Sequence, residues 1–450
     1  MVVNQKISTS YIIVLGLMLF ALFFGAGNLI FPIMMGQEAG VNIWVAMAGF
    51  VITGIGLPIL TVISLGYSRE SDIQSLATRV HPMFGLIFSI ILYLAIGPLF
   101  AIPRAGTVSF EIGIRPLIPE SWDTIGLFIF SILFFAVATL LSLNSSKIVD
   151  ILGKYLTPIK ISFLSLLVIV AIFKPLGALQ KPIGKYTENS FFSGFSEGYL
   201  TMDVLAAFVF GIIIINSLRS KGVESGKVIM VSTMKAGLIA AVLLAFFYSA
   251  LAFMGASSVS ELGILDNGGS VLAGVANLYF GSFGGVILGA LITAACMTTS
   301  VGLISSCASY FNKILPKVSY RSFVIIFAIF STAVANFGLS HLISISTPVL
   351  TTIYPLAIVL LILTFFHNAF KGKKIVYQLA MLFTFIVSVF DGLNAAGLGV
   401  KPVDQLFSSI LPLYEVGLGW LLPAFIGVIL GIIIGFFKLS SKEKEEEQLI

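Results

Sequence analysis

Long apolar stretches alternate with short polar ones along almost the whole chain, and this pattern predicts a helical membrane protein. A helix needs about 20 consecutive apolar residues to cross a bilayer, and twelve apolar runs of this kind are bounded by charged or turn-forming clusters. The runs cover about 11–35, 44–65, 84–102, 125–143, 156–173, 199–218, 228–254, 283–311, 322–339, 345–366, 375–390 and 416–437. The predicted fold class is therefore all-α and polytopic, with about 12 transmembrane helices.

Composition supports this reading and excludes several classes of protein. Of 450 residues, 58% are hydrophobic and only 10% are charged, and the mean hydropathy is +1.08, far from the balance of a soluble domain. The net charge of +5 is spread between apolar runs, so it does not indicate nucleic-acid binding. We expect the lipid bilayer as the main partner and no obligate protein partner. The first apolar run is too long and too interrupted for a secretory signal.

The distribution of Lys and Arg predicts the orientation. With twelve spans and a cytoplasmic N-terminus, seventeen of the 25 basic residues fall in cytoplasmic segments and five in outer segments, while Arg104, Lys160 and Lys235 stay unassigned. Cytoplasmic loops carry an excess of Lys and Arg. The expected location is the cell inner (plasma) membrane, with N- and C-termini cytoplasmic.

The spans divide into five, five and two. A repeat with an odd number of spans reverses its orientation, so two five-helix units would be inverted copies. We expect a first repeat at 1–175, a second, inverted repeat at 198–367, two additional transmembrane helices at 375–437 and a charged cytoplasmic tail at 438–450.

The first apolar run contains a break signal, FALFFGAGNLIFP at 20–32. Glycine frees the backbone and Pro32 removes a donor. We expect one half-helix to about Phe24, an unwound piece Gly25–Asn28 and a second half from about Leu29. Its free N–H groups at Gly25, Ala26, Gly27 and Asn28 would suit a carboxylate, and the carbonyls before the break would suit Na⁺. A kink that serves helix packing is the alternative.

The repeat argument predicts a matching break in the sixth span, near Ala206–Gly211, although an ordinary buried helix is also compatible with one glycine. Thr298, Thr299 and Ser300 lie in the middle of the eighth span. Two of these hydroxyls would complete a Na⁺ shell with the carbonyls of Ala21 and Phe24, unless they bond to their own helix.

Other charged residues in or near the spans allow two readings each. Asp203 opens the sixth span, where we expect it to cap the helix, although it would also fit an outer vestibule. Arg104 and Glu111 follow Pro103, and we expect them in a loop rather than in a continuing third helix.

Enzymatic activity is not expected. The three histidines lie at polar edges without metal-ligand spacing, and no nucleophile elbow, P-loop or paired-histidine motif is present in the sequence. A passive channel would show rings of charged residues or a repeated carbonyl filter, and the sequence shows neither. The scarcity of ionisable groups inside the runs favours a carrier of a mostly apolar small molecule. No cofactor is expected apart from a coupling ion.

GAGNLIFP after FALFF, the segment GYLTMDVLAAFVFG at 198–211 and the twelve-span layout resemble the bacterial branched-chain amino acid:cation symporter family, the carrier of branched-chain amino acid transport system II. The resemblance covers nearly the whole chain. It implies the leucine-transporter-type fold with a five-plus-five inverted repeat, and import of leucine, isoleucine and valine with Na⁺. A proton-coupled carrier of another small neutral amino acid is the alternative, and a passive channel ranks below it.

The resemblance also implies roles for individual residues. The N–H groups of Ala26 and Gly27 would face the substrate carboxylate, within a substrate site that includes Gly25 and Asn28. The carbonyls of Ala21 and Phe24, with hydroxyls from Thr298, Thr299 or Ser300, would form a sodium site. Phe208, Phe210 and Gly211 would border an apolar pocket for the substrate side chain.

Overall fold

The structure is a computed structural model that describes residues 7–68, 70, 72–143 and 157–447, without the side chains of 157–160, 163 and 437–447. This described part is largely helical and contains no strand. Helices α1 to α18 are, in chain order, Thr9–Phe23, Ala26–Ala39, Ile43–Val51, Leu57–Ser68, Ile73–Ala77, Pro82–Leu94, Ala101–Gly113, Asp123–Leu143, Thr157–Phe173, Ser190–Glu197, Asp203–Arg219, Gly226–Leu262, Gly268–Ile314, Tyr320–Ala335, Leu339–Phe365, Lys374–Ala395, Lys401–Ile410 and Leu421–Glu447. Each of the twelve apolar runs falls on one or more of these helices, and the all-α class is confirmed.

Seven continuous helical segments of the described chain have the length and hydropathy to cross a bilayer, and a bent pair makes an eighth. Two of the seven join helices through wide π turns, at Ile52–Gly56 between α3 and α4 and at Ala95–Leu99 before α7. Four shorter apolar helices lie at Thr9–Phe23, Leu164–Phe173, Tyr320–Ala335 and Leu421–Phe436. The chain is a polytopic membrane protein.

The chain forms two compact units. The first contains Met1–Gly56, Leu92–Ala206 and Lys235–Ser346, and the second contains Leu57–Ile91, Ala207–Met234 and Thr347–Ile450. Both units combine distant parts of the sequence. The predicted division into two sequence repeats is a different property and stays a prediction.

Glycines bring the helices of the first unit into backbone contact around α2. A Cβ at Gly36 would collide with the carbonyl of Ala252, and one at Gly255 would collide with the carbonyl of Ile33. One at Gly268 would meet the carbonyl of Ile30 in the same way. Small residues permit such close approach of membrane helices. The second half of the first span is thus fixed against α12 and the start of α13.

The prediction that Arg104 and Glu111 lie in a loop is wrong, because both residues lie inside α7. Pro103 is the third residue of this helix, where a missing N–H breaks no intrahelical bond. The irregular backbone lies earlier, at Gly97 (φ −100°, ψ −127°). Arg104 is buried as a result, with 4% of its surface exposed.

The break in the sixth span lies earlier than expected. Met202 adopts the left-handed region (φ 65°, ψ 12°) and separates the segment Ser190–Thr201 from α11, which is bent from it by 47°. The expected break near Gly211 is wrong, since α11 continues through it. Within the second unit a Cβ at Gly211 would lie 2.8 Å from Leu65, so this glycine serves close packing. Asp203 is the first residue of α11 rather than its cap, which corrects the capping expectation.

Candidate functional site at two helix breaks

The predicted break in the first span is present and is shorter than expected. Helix α1 ends at Phe23, Phe24 (φ −74°, ψ 69°) and Gly25 (φ −101°, ψ −161°) leave helical geometry, and α2 begins at Ala26. Of the predicted unwound piece Gly25–Asn28, only Gly25 lies outside a helix. Ala26, Gly27 and Asn28 form the first turn of α2. The N–H groups of this turn have no acceptor within the helix.

The break also releases carbonyl groups on both sides. The N–H of Gly25 donates to the carbonyl of Phe23 at 2.7 Å, instead of continuing the helical ladder to Ala21. Pro32 lies inside α2 and has no N–H, so the ladder offers no donor to the carbonyl of Asn28. Donors and acceptors of the main chain thus lie side by side at one point in the first unit.

Asn28 connects this break to the second one. Its Oδ1 accepts from the N–H of Gly25 at 3.2 Å. Its Nδ2 donates to Oδ2 of Asp203 at 2.5 Å and also contacts the hydroxyl of Tyr248. The Tyr248 hydroxyl in turn donates to Asp203 at 3.2 Å. All three side chains are buried, so a carboxylate, an amide and a phenol form one network.

Arg104 binds the second break from the side of α7. Its Nη1 donates to the carbonyl of Leu200 at 2.6 Å and its Nη2 to that of Thr201 at 3.3 Å, just before Met202. A Cβ on Gly27 would lie 3.0 Å from Nη2, so glycine at this position leaves room for the guanidinium. Arg104 therefore brings a positive charge to the amino-terminal turn of α2.

The two buried charges are also near each other. The Arg104 guanidinium interacts electrostatically with the Asp203 carboxylate, and it lies over the Phe31 ring at 5.1 Å. A buried charge is costly unless it is paired and hydrogen-bonded. The hydrogen bonds to Leu200, Thr201 and Asn28 provide such partners.

Aromatic rings form an apolar side of the same region. The Phe24 ring stacks on Phe20 with centroids 4.9 Å apart and lies 5.2 Å from Phe247. The edge of Phe50 meets Tyr248 at 5.5 Å. The first break is therefore polar along the main chain and apolar on its aromatic side.

The predicted sodium-site residues lie partly together. A Cβ on Gly25 would be 3.8 Å from the Thr299 hydroxyl oxygen, which places Thr299 beside the break. The Thr298 and Thr299 hydroxyls donate to the carbonyls of Ala294 and Ala295 at 3.0 and 3.2 Å, so the alternative of bonding to their own helix is present, and the sodium role stays a prediction. A hydroxyl that donates its proton keeps lone pairs for a cation. Ser300 is buried, and its Oγ has no hydrogen-bond partner within the described chain.

Phe208, Phe210 and Gly211 belong to the second compact unit, where both rings are buried. Their predicted role at the substrate pocket stays a prediction. In the described residues, no three His, Cys, Asp or Glu side chains are grouped in a way that would hold a metal ion.

Sequence reasoning missed Arg104 and Tyr248 as members of the site and did not connect Asp203 with Asn28. One signal was available, because an ionisable residue inside an apolar run is a functional candidate by default. Asp203 meets that criterion, whereas Arg104 lies two residues beyond the end of the third apolar run.

The chain is similar to known transport proteins over nearly its full length. The family model described as "Branched-chain amino acid transport protein" matches residues 8–438. The branched-chain amino acid permease BrnQ of Bacillus subtilis (strain 168) is 57% identical over 438 residues, covering 97% of this chain and 100% of that protein. The branched-chain amino acid transport system 2 carrier protein of Pseudomonas aeruginosa is 42% identical over 434 residues, covering 96% and 98%.

Two solved structures share the fold at low sequence identity. Mhp1, a nucleobase-cation-symport-1 family transporter in a closed conformation with bromovinylhydantoin bound, has a TM-score of 0.59 at 11% identity, covering 96% of this chain and 93% of that one. MhsT in complex with L-phenylalanine has a TM-score of 0.56 at 18% identity, covering 94% and 98%. The predicted leucine-transporter-type fold and the predicted family are both confirmed. This chain belongs to the branched-chain amino acid transport protein family.

Proposed function

We propose that this protein is a secondary active transporter that imports leucine, isoleucine and valine together with Na⁺. Family membership supports branched-chain amino acids as substrates. The observation that carries the proposal is the break between α1 and α2 beside Arg104, Asn28 and Asp203. Half-helix ends of this kind hold anionic substrate groups and coupling cations in many transporters.

The substrate carboxylate would bind at the start of α2. The N–H groups of Ala26 and Gly27 have no acceptor within the helix, and the helix dipole favours negative charge there. Arg104 adds a positive charge next to Gly27. The substrate ammonium would face acceptors at the same break, namely the Asn28 carbonyl and the Asp203 carboxylate.

The aliphatic side chain would occupy the apolar side of the break. Phe24, Phe50 and Phe247 supply apolar rings within the first unit. Burial contributes roughly 0.8 kcal/mol per CH₂, and one methylene in a pocket changes discrimination by only about 1–3 kcal/mol. Leucine, isoleucine and valine should therefore share one site.

Na⁺ would bind between the end of α1 and α13. Carbonyls of Ala21 and Phe24 and hydroxyls of Thr298, Thr299 or Ser300 are oxygen donors, which suit this hard cation. In a continuous helix the Gly25 N–H would donate to the Ala21 carbonyl, but here it donates to the Phe23 carbonyl. The Ala21 carbonyl is therefore left without this donor, which supports its role as a Na⁺ ligand. The position of Thr299 beside Gly25 supports the hydroxyl contribution.

Proton coupling is a second candidate, and one observation favours it. Asp203 is a buried carboxylate that bonds to Asn28 and Tyr248 at the break itself. Ionisable groups at such depth often belong to proton relays. In that case Asp203 would take up and release the coupling proton.

Transport into proteoliposomes tests the proposal and separates the candidates. Labelled leucine uptake is measured with an inward Na⁺ gradient, with an inward proton gradient and with a choline gradient of equal ionic strength. We expect saturable accumulation only with Na⁺. Accumulation with protons alone would reject Na⁺ coupling in favour of the second candidate, and uptake that never saturates would reject a carrier.

The membrane setting follows from the same proposal. The protein would lie in the cell inner membrane with both termini in the cytoplasm, in agreement with the basic residues between spans. Cysteines introduced in α17 and at the N-terminus would be labelled with a membrane-impermeant thiol reagent, in intact cells for the outer side and in inside-out vesicles for the cytoplasmic side. Labelling of both positions from the same side would contradict this orientation.

A further inference from the structure

Tyr248 belongs to both the polar and the apolar side of the first break. It lies in α12 and is fully buried. Its ring lies nearly parallel to that of Phe24, with centroids 6.3 Å apart, and meets Phe50 edge-on at 5.5 Å. Its hydroxyl contacts Asn28 and Asp203. One rigid side chain of the first unit therefore connects the aromatic rings with the buried carboxylate.

The Tyr248 hydroxyl closes a triangle of hydrogen bonds. It accepts from Nδ2 of Asn28 and donates to Oδ2 of Asp203 at 3.2 Å, while the same Nδ2 donates to the same Oδ2 at 2.5 Å. A phenol has one proton to donate, and here that proton is directed to the carboxylate. Two donors thus hold one oxygen of Asp203, which fixes the rotation of the carboxylate and keeps the other oxygen, Oδ1, outside the triangle.

The direction of the Asp203 side chain depends on such contacts. Asp203 is the first residue of α11 and follows Met202, which adopts the left-handed region. No preceding turn of the same helix therefore restricts its rotamer. A binding group is held in its productive direction when packing and hydrogen bonds fix its neighbours. Tyr248 meets both conditions, because its ring is packed and its hydroxyl is bonded.

We propose that Tyr248 is a positioning residue that makes the carrier specific for substrates with an α-ammonium group. The inference rests on the proposed function, in which Asp203 and Asn28 face this ammonium. The hydroxyl of Tyr248 orients the Asp203 carboxylate, and the ring of the same residue packs on the apolar side at Phe24 and Phe50. Tyr248 thereby fixes how far the ammonium acceptor lies from the apolar rings.

This arrangement selects against branched carboxylic acids that lack the amino group. Isocaproate has the carbon skeleton of leucine without its amino group, so it would leave the Asp203 carboxylate without a cationic partner. A site built to hydrogen-bond a substrate N–H rejects an analogue that lacks it, because the buried polar groups of the site then stay unpaired. The same ammonium is present in leucine, isoleucine and valine, so Tyr248 does not distinguish among these three.

Binding to the purified full-length protein in detergent tests the role of Tyr248 without any ion gradient. Labelled leucine is bound in NaCl and displaced by unlabelled leucine or by isocaproate. Tyr248→Phe removes the hydroxyl and keeps the ring. We expect the leucine concentration for half-saturation to rise at least about tenfold, because a hydrogen bond to a charged group is lost. The isocaproate constant should change less than about threefold, because isocaproate has no ammonium for Asp203 to bind.

An Asp203→Asn background tests whether Tyr248 acts through the carboxylate, and it needs leucine alone. There the additional change Tyr248→Phe should cost less than about threefold in leucine binding, since groups that act as a unit have non-additive effects. Tyr320→Phe is the matched control. Its hydroxyl donates to the Ser142 carbonyl at 3.0 Å, in a different part of the first unit, and its loss should leave both binding constants unchanged.

The outcomes separate this inference from the proposed function. Wild-type protein that binds leucine, together with unchanged leucine binding in Tyr248→Phe, would overturn the role of Tyr248 and leave the proposed function standing. Equal weakening of leucine and isocaproate would do the same, because packing alone predicts it. Wild-type protein that does not bind leucine at all would reject the proposed substrate, and the positioning role with it.

Discussion

The side-chain amide of Asn28 donates to the carboxylate of Asp203 at 2.5 Å, although 175 residues separate them in the sequence. Asn28 lies in the first turn after the break in the first span, and Asp203 lies directly after the break in the sixth. This hydrogen bond therefore joins the break in the first span to the break in the sixth.

Asn28→Asp should abolish this link, because an ionised carboxylate cannot donate to Asp203. Two buried carboxylates would then face each other near neutral pH. We expect leucine uptake at pH 7.5 to fall by at least about tenfold, the effect of one unsatisfied buried group.

Asn216→Asp is the matched control, since Asn216 is exposed on α11. It should transport like the wild-type protein at pH 7.5. Wild-type uptake by Asn28→Asp at pH 7.5 would show that the hydrogen bond does not matter for transport.

Arg104→Lys should impair transport although the charge is kept. The guanidinium reaches the carbonyls of Leu200 and Thr201 together, and a lysine ammonium lacks this fork geometry. We expect the maximal uptake rate to fall by at least about tenfold, and Arg104→Gln to lose more because Asp203 also loses a nearby positive charge.

Arg321→Lys, at an exposed position in α14, gives the control for the same chemical change. Rates and half-saturating leucine concentrations are measured for each variant after equal reconstitution. Indistinguishable behaviour of Arg104→Lys and Arg321→Lys would contradict a positioning role for Arg104.

The sequence predicted the helices and the first break, because both depend on local signals. Apolar runs of membrane length are read directly from the chain, and two glycines with Pro32 mark irregular backbone within such a run. The first turn of α2 was nevertheless misassigned to the unwound piece, since helix boundaries are the least reliable part of such predictions.

The second break and most of the site depend on contacts between distant residues. Met202 is not a residue type that favours the left-handed region, so nothing in the local sequence marks it. The Arg104 contacts span 96 and 97 residues, and the Tyr248 contact to Asn28 spans 220. Periodicity and residue type carry no information about such pairs.

Gly36→Ala should destabilise the protein strongly. Its new methyl group would collide with the Ala252 carbonyl, and backbone atoms cannot move aside as a flexible side chain does. Overpacking of this kind costs about 1–3 kcal/mol or more. The expected result is a lower unfolding temperature and reduced yield of monodisperse protein in detergent.

Gly302→Ala provides the opposite case within α13. Apart from its chain neighbours and the backbone of its own helix, no described atom lies within 4 Å of the position of its Cβ. Alanine is favoured over glycine in a helix by up to about 1 kcal/mol. Its unfolding temperature should equal or exceed that of the wild-type protein. Equal destabilisation by both substitutions would contradict the packing explanation.

Thr299→Val should weaken the dependence of uptake on Na⁺ without unfolding the protein. The variant keeps the shape of the side chain and loses the hydroxyl beside Gly25. If this oxygen binds the coupling ion, the half-saturating Na⁺ concentration should rise by about tenfold or more, while Thr299→Ser should stay close to wild type. Thr332→Val is the matched control, because its hydroxyl makes the same bond to the carbonyl one turn earlier, at 2.8 Å. An unchanged Na⁺ dependence of uptake in Thr299→Val would remove Thr299 from the proposed sodium site. In that case, loss of uptake driven by a proton gradient in Asp203→Asn would favour the proton as the coupling ion.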